Sequence, residues 1–140
     1  MRVVLDANVL VSAAISQGSS HRIVHAWLAT QPFELVVCRR LLDEVDTVLT
    51  RRPRLRRWIT VSAAQVYLAR LSTAADVQRD PKAGPRLSRD PDDDYVIYLA
   101  RQNYAEVIVT GDDDLLEWPD QDPPTMTPTE FEARLRKQDE

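Results

Sequence analysis

The chain is poor in cysteine and lysine and has no long apolar run, and each shortage removes a class of protein. One cysteine in 140 residues, Cys38, leaves no partner for an intramolecular disulfide. That excludes a disulfide-stapled secreted scaffold and fits a cytoplasmic protein. No apolar stretch approaches the roughly 20 residues that cross a bilayer, so no membrane partner is expected. The apolar start, "MRVVLDANVLVSAAIS", is interrupted by Asp6 and Asn8 and has no clear basic leader, so it reads as folded structure rather than a signal peptide. Internal repeats, low-complexity tracts and a domain-splitting linker are also missing. A single domain over 1–140 with one core is expected.

Lysine is scarce: of 18 basic residues only Lys82 and Lys137 are not arginine. The net charge is −4, yet "RRPRLRRW" (51–58) is densely basic while acids gather at 90–94 and 112–122. A net-acidic protein can still grip nucleic acid through a local basic patch. Arg39, Arg40, Arg51, Arg52, Arg54, Arg56 and Arg57 are the candidates for phosphate contacts, against the plainer reading of a solvated helical face.

The hydrophobic pattern alternates short apolar runs with helical stripes. "RVVL" (2–5), "FELVVC" (33–38) and "AEVIVT" (105–110) read as buried strands, "DVQ" (76–78) and "TMT" (125–127) as short extra ones. Helices are predicted after Asp6, at 19–30 with Ser20 as cap, at 39–50, around 54–58, at 62–75 with Ser62 as cap, and at 94–104. A short turn of helix is expected at 112–118. "TPTEFEARLRKQ" carries a helix-start signature: Thr127 as cap, Pro128 at the first helical position and Glu130 three residues after the cap. Residues 79–93 read as loop. The alternation predicts a three-layer α/β/α domain with a mainly parallel sheet. Cys38 closes an apolar strand and reads as a small buried thiol, not a nucleophile.

Ligands of open parallel sheets bind beyond the carboxyl ends of the strands. Asp6 ends the first strand and Asp112 follows "EVIVT", so both lie at that edge. A helix over 94–104 advances about 15 Å at about 1.5 Å per residue. The following strand returns roughly 16 Å at about 3.3 Å per residue. Asp94 at the helix start should therefore come back beside Asp112. Glu44, on the flank of the buried stripe of helix 39–50, adds a fourth carboxylate; Asp46 on the other flank is a weaker choice, and Asp43 faces solvent. Four carboxylates at one edge call for a counter-ion. Hard oxygen ligands suit Mg²⁺ or Mn²⁺, the usual tools for cutting phosphodiesters. Taken singly, each acid is equally a turn or helix-start residue.

"VVLDANVLVSA", "RRLLDEVDTVL", "DPDDDYVIYLA" and "VIVTGDDDLL", in this order, resemble the motifs of the PIN-domain family, and in particular the VapC-like toxins of bacterial toxin–antitoxin pairs. The resemblance implies a PIN-like α/β/α fold and a Mg²⁺- or Mn²⁺-dependent endoribonuclease with RNA as substrate. It also implies an antitoxin protein that blocks the site, and often a homodimer. Carried onto these positions, Asp6, Glu44, Asp94 and Asp112 become the catalytic and metal-binding residues, with Asn8 in the accompanying polar position. Asp94 is chosen over Asp92 and Asp93 on its separation from Asp112. Whether Asp93, Asp113 or Asp114 also touches metal is left open. Ser12 and Thr110 are lesser candidates for orienting a ligand. His21 and His25, one helical turn apart, lack a nearby acid and read as surface or packing residues.

Haloacid-dehalogenase-like phosphatases and receiver domains also place an aspartate after the first strand. The phosphatase needs a second aspartate where this chain has Asn8 and a lysine ahead of its last motif; the receiver needs an acid pair near the first strand and a lysine late in the sheet. Lys82 stands in a proline-rich loop. The stronger rival is a PIN-like fold that binds RNA or protein without cutting.

Overall fold

The computed structural model describes residues 1–119 and 121–139. Five strands form one parallel sheet: β1 (Arg2–Leu5), β2 (Glu34–Cys38), β3 (Asp76–Gln78), β4 (Val107–Val109) and β5 (Thr125–Met126), in the order β3-β2-β1-β4-β5. β1 pairs in register with both neighbours, Val3 opposite Leu35 and Val107, and Leu5 opposite Val109. Residues 3–5, 35–38 and 107–109 are all buried, as expected of strands covered on both faces. From β1 the chain steps to one side through β2 and β3, then crosses back to build β4 and β5 on the other. β1 and β4 therefore flank the switch point, the crevice where open α/β sheets hold ligands.

The helices are α1 (Ala7–Ile15), α2 (Ser19–Thr30), α3 (Arg39–Arg51), α4 (Val61–Ala74), α5 (Asp94–Gln102), α6 (Asp113–Leu116) and α7 (Pro128–Asp139). α1 packs against α2 and α3, α4 against α3, and α7 against α2, while α5 lies across β1, β2 and β4. Right-handed crossovers that reverse direction at β1 put α5 on the face opposite α1–α4, which makes three layers. The core is mainly apolar, with Trp27 and Phe131 among the largest fully enclosed side chains. α3 shows how the pattern works: Leu41, Leu42, Val45 and Leu49 are buried, while Arg39, Asp43 and Asp46 stay in water.

The predicted strands and helices are all present; several boundaries and caps differ. Gly18, not Ser20, precedes α2, and Ser20 is buried within the helix. Thr60, not Ser62, caps α4, its hydroxyl accepting from the Ala63 N–H at 3.0 Å. Residues 53–57 form a 3₁₀ turn led by Pro53, and a second 3₁₀ turn, Pro91–Asp93, precedes α5. At α7 the signature is met in full: Thr127 Oγ1 accepts from the Glu130 N–H, and Glu130 Oε1 accepts from the Thr127 N–H, at 3.2 and 3.1 Å.

The proline-rich stretch that reads as loop is docked on α5. Asp94, Tyr98 and Gln102, spaced by four, line one side of that helix. The Leu87 and Ser88 N–H groups donate to Asp94, the Tyr98 hydroxyl to the Pro85 carbonyl, and Gln102 exchanges two hydrogen bonds with Lys82. Gly84 lies against Tyr98 so closely that a Cβ there would overlap the phenol.

Candidate metal centre

Asp6 ends β1 and caps α1. Its Oδ1 accepts from the Ala7 N–H at 2.8 Å; its Oδ2 accepts from Asn8 Nδ2 at 2.9 Å and from the Thr110 hydroxyl at 2.8 Å. Thr110 is fully buried at the end of β4, and its Oγ1 also accepts from the Asp112 N–H at 3.0 Å. Asn8 completes the link, its Oδ1 accepting from the Gly111 N–H at 2.9 Å. The two strand ends of the switch point are thus tied by side chains as well as by the sheet. Asn8 gives and takes a hydrogen bond at once, which an ionised aspartate cannot do. That chemistry weighs against the phosphatase reading, in which the same position must be an acid.

The carboxylate that meets Asp112 is Asp93, not Asp94. Burial, hydrogen-bond contact with Asp112, and the charges of Asp112, Asp6 and Asp90 push the Asp93 carboxyl up to about 8. Asp93 therefore holds its proton more tightly than an isolated carboxylate does. Asp94 does not join this group. Its oxygens accept from the Leu87 N–H at 2.9 Å, the Ser88 N–H at 2.8 Å and the Ser88 hydroxyl at 2.5 Å. Burial raises its proton affinity, but these donors, with Arg86 nearby, outweigh it and leave the pKa below the ordinary value. The length argument puts an acid beside Asp112 correctly. It misses the identity because the chain enters α5 through a 3₁₀ turn, and Asp94 has already rotated onto the linker side. The four-residue spacing of Asp94, Tyr98 and Gln102 is the sequence signal that points there.

Glu44 is half-buried on α3 and faces the same centre. Burial raises its pKa; the Tyr95 hydroxyl beside it and Arg40 act in the opposite direction, and the charge of Asp6 adds to the rise. Burial likewise raises Asp6 more than its three donors lower it, with Asp112 adding repulsion. Asp6, Glu44, Asp93 and Asp112 are thus brought together, and three of them hold protons more tightly than isolated carboxylates do. Such a group is short of positive charge. Its donors are all hard oxygens, so it fits a divalent cation of the Mg²⁺ type.

A second acidic grouping overlaps the first. One oxygen each from Asp90, Asp93 and Asp114 lie within 4.8 Å of one another, a set that could hold a metal. Arg89 Nε pairs with Asp114 at 3.0 Å and supplies counter-charge on that outer side. Asp90 also accepts from the Asp92 N–H, so it shapes the 3₁₀ turn as well.

Beside the centre a groove of about 1120 Å³ runs between α1 and α3. Asn8, Arg40 and Glu44 stand among its lining residues with Ser12, Val11, Ile15, Val48, Arg52 and the exposed Trp58. The other candidate arginines are dispersed. Arg56 is withdrawn, its guanidinium donating to the Leu49 carbonyl. Arg57 lies over the Trp58 ring, and Arg39 sits by Asp43 and Asp46 away from the groove. Arg51 and Arg54 are exposed. Ser12 bonds Ser16, not the acids. His21 contacts the Ala13 carbonyl and stacks on His25, a packing role. Cys38 is buried, which pushes its thiol up to about 11.

The family model described as PIN domain matches residues 2–114. The chain belongs to the PIN-domain family. The match runs from β1 into α6 and takes in Asp6, Glu44, Asp93 and Asp112. PIN domains are generally metal-dependent nucleases, and an acidic centre at the switch point is compatible with that activity. No curated protein matches the chain. Among the described residues, no helix of this PIN domain is long and apolar enough to cross a membrane.

Proposed function

We propose that this PIN domain is a Mg²⁺- or Mn²⁺-dependent endoribonuclease, with Asp6, Glu44, Asp93 and Asp112 as the cation-binding residues. The observation that carries the reading is the meeting of Asp93 with Asp112 at the carboxyl edge of the sheet, next to buried Asp6. Carboxylates so arranged are repulsive alone and complete only with a cation, and a proton at that point occupies the place of one. Asp93 replaces Asp94 in the set expected from sequence, since Asp94 spends both oxygens on the linker.

The residues divide the work. Thr110 and Asn8 hold Asp6 in one orientation and tie it to the segment that carries Asp112. When bound, a divalent cation supplies a nucleophile from water and neutralises charge developing at phosphorus. Arg40 at the near end of the groove and Arg52 farther along it are placed for phosphates, and exposed Trp58 for a base. We propose RNA as the strand that lies there. The toxin role, the antitoxin that blocks the site, the homodimer and the cytoplasmic location rest on the family resemblance and the single buried thiol.

The test is cleavage of a mixed RNA pool by the purified chain with Mg²⁺, with Mn²⁺ and with chelator, beside Asp6→Asn and Asp93→Asn. Metal-dependent cutting that both variants lose is the expected result. Metal-dependent cutting that survives in both places the centre elsewhere. Metal and RNA binding without cutting favours the non-catalytic module.

A further inference from the structure

We propose that the Tyr95 hydroxyl positions the Glu44 carboxylate for the divalent cation, a role that rests on the nuclease reading above. Tyr95 is the second residue of α5 and is 7% exposed. Its hydroxyl oxygen is enclosed and, among the described residues, has no hydrogen-bond partner. A buried hydroxyl left unpaired is costly, and such groups mark places where something further belongs. The ring is held from α3. The Arg40 guanidinium lies 4.1 Å from its centroid, and Glu44, one helical turn farther along the same face, meets the hydroxyl end. Arg40 also donates to the Asp92 carbonyl and so fixes the turn that presents Asp93.

The other groups near the hydroxyl are Asp6, whose oxygens already accept from Ala7, Asn8 and Thr110, and the Cys38 thiol, a weak acceptor. Glu44 is the acceptor left. A carboxylate that accepts from one fixed donor presents its remaining lone pairs in a fixed direction, and donors of this kind set how well an acid binds a cation. Arg40 fixes the ring, the ring fixes the hydroxyl, and the hydroxyl fixes Glu44.

The experiment is Mn²⁺ titration by calorimetry, with melting in chelator, on the whole chain carrying Tyr95→Phe, Glu44→Gln or both. Phenylalanine keeps the ring under Arg40 and removes only the oxygen. Tyr95→Phe is expected to weaken Mn²⁺ binding about 10-fold or more, while the chelated protein melts no lower than wild type. Added to Glu44→Gln, it should cost nothing further, because its only route to the cation is then gone. Equal Mn²⁺ affinity in wild type and Tyr95→Phe overturns the proposal, as does the same loss with Glu44 absent. A lower melting temperature in chelator with unchanged affinity makes the hydroxyl merely structural. Wild type that takes up no Mn²⁺ defeats the nuclease reading itself, and this role with it.

Discussion

Asp93 and Asp94 are adjacent in sequence and opposite in character. Asp93 faces Asp112, Asp6 and Asp90; burial and these acids raise its pKa to about 8. Asp94 is the more deeply buried, yet three donors from the linker hold it below the ordinary value. Burial alone therefore does not set the sign of a shift; what the carboxylate meets when it is buried does. The raised acid sits where a cation fits, and the lowered one is a fastener for the 79–90 segment.

The largest expected difference comes from swapping the two roles. Asp93→Asn should abolish RNA cleavage, leaving less than roughly one part in a hundred, while the fold persists. Asp94→Asn should leave Mn²⁺ affinity within a few-fold and lower stability by about 1–3 kcal/mol, because an amide nitrogen then confronts the Leu87 or Ser88 N–H. Melting curves and calorimetric titration of the two variants check this. A loss of metal binding by Asp94→Asn with Asp93→Asn unaffected would reverse the assignment.

Next in size is a pH effect. Asp93 has a folded pKa above its unfolded one, so the metal-free protein binds an extra proton between pH 4 and 8. Its contribution to stability is fully present below about pH 4 and is lost as pH rises to about 8. The chelated protein should become less stable across that window, and saturating Mn²⁺ should reverse the trend, since the cation competes with the proton. Asp93→Asn should remove this component. Denaturant melts at several pH values would show it, and an identical slope in wild type and Asp93→Asn would count against the raised Asp93 carboxyl.

The smallest effect belongs to the linker side. Tyr98→Phe removes one exposed hydrogen bond to the Pro85 carbonyl and should cost about 0.5–1.5 kcal/mol. Proteolysis within 82–90 should quicken while Mn²⁺ affinity stays unchanged. A large fall in affinity would mean that the linker and the carboxylate centre are coupled, and the contrast between the two acids would be less sharp than their geometry suggests.

Local pattern was enough for the elements and for the edge at which the acids gather. Apolar runs of strand length, helical stripes such as that of α3, and the Thr127–Glu130 cap are decided by neighbours within a few residues. The near-equal lengths of α5 and the strand after it place an acid of "DPDDD" beside Asp112 without any tertiary knowledge. Which acid it is depends on facts that are not local. One residue along a helix turns a side chain through about 100°, so a 3₁₀ turn at 91–93 and the docking of a distant linker decide between Asp93 and Asp94. Arg56 is likewise indistinguishable from its basic neighbours until the fold sets it against the Leu49 carbonyl. Tyr95 meets Arg40 and Glu44 only because α3 and α5 converge at the carboxyl edge of the sheet. Short-range periodicity writes elements into a sequence; the direction of a single side chain is settled by whichever long-range partner packs against it.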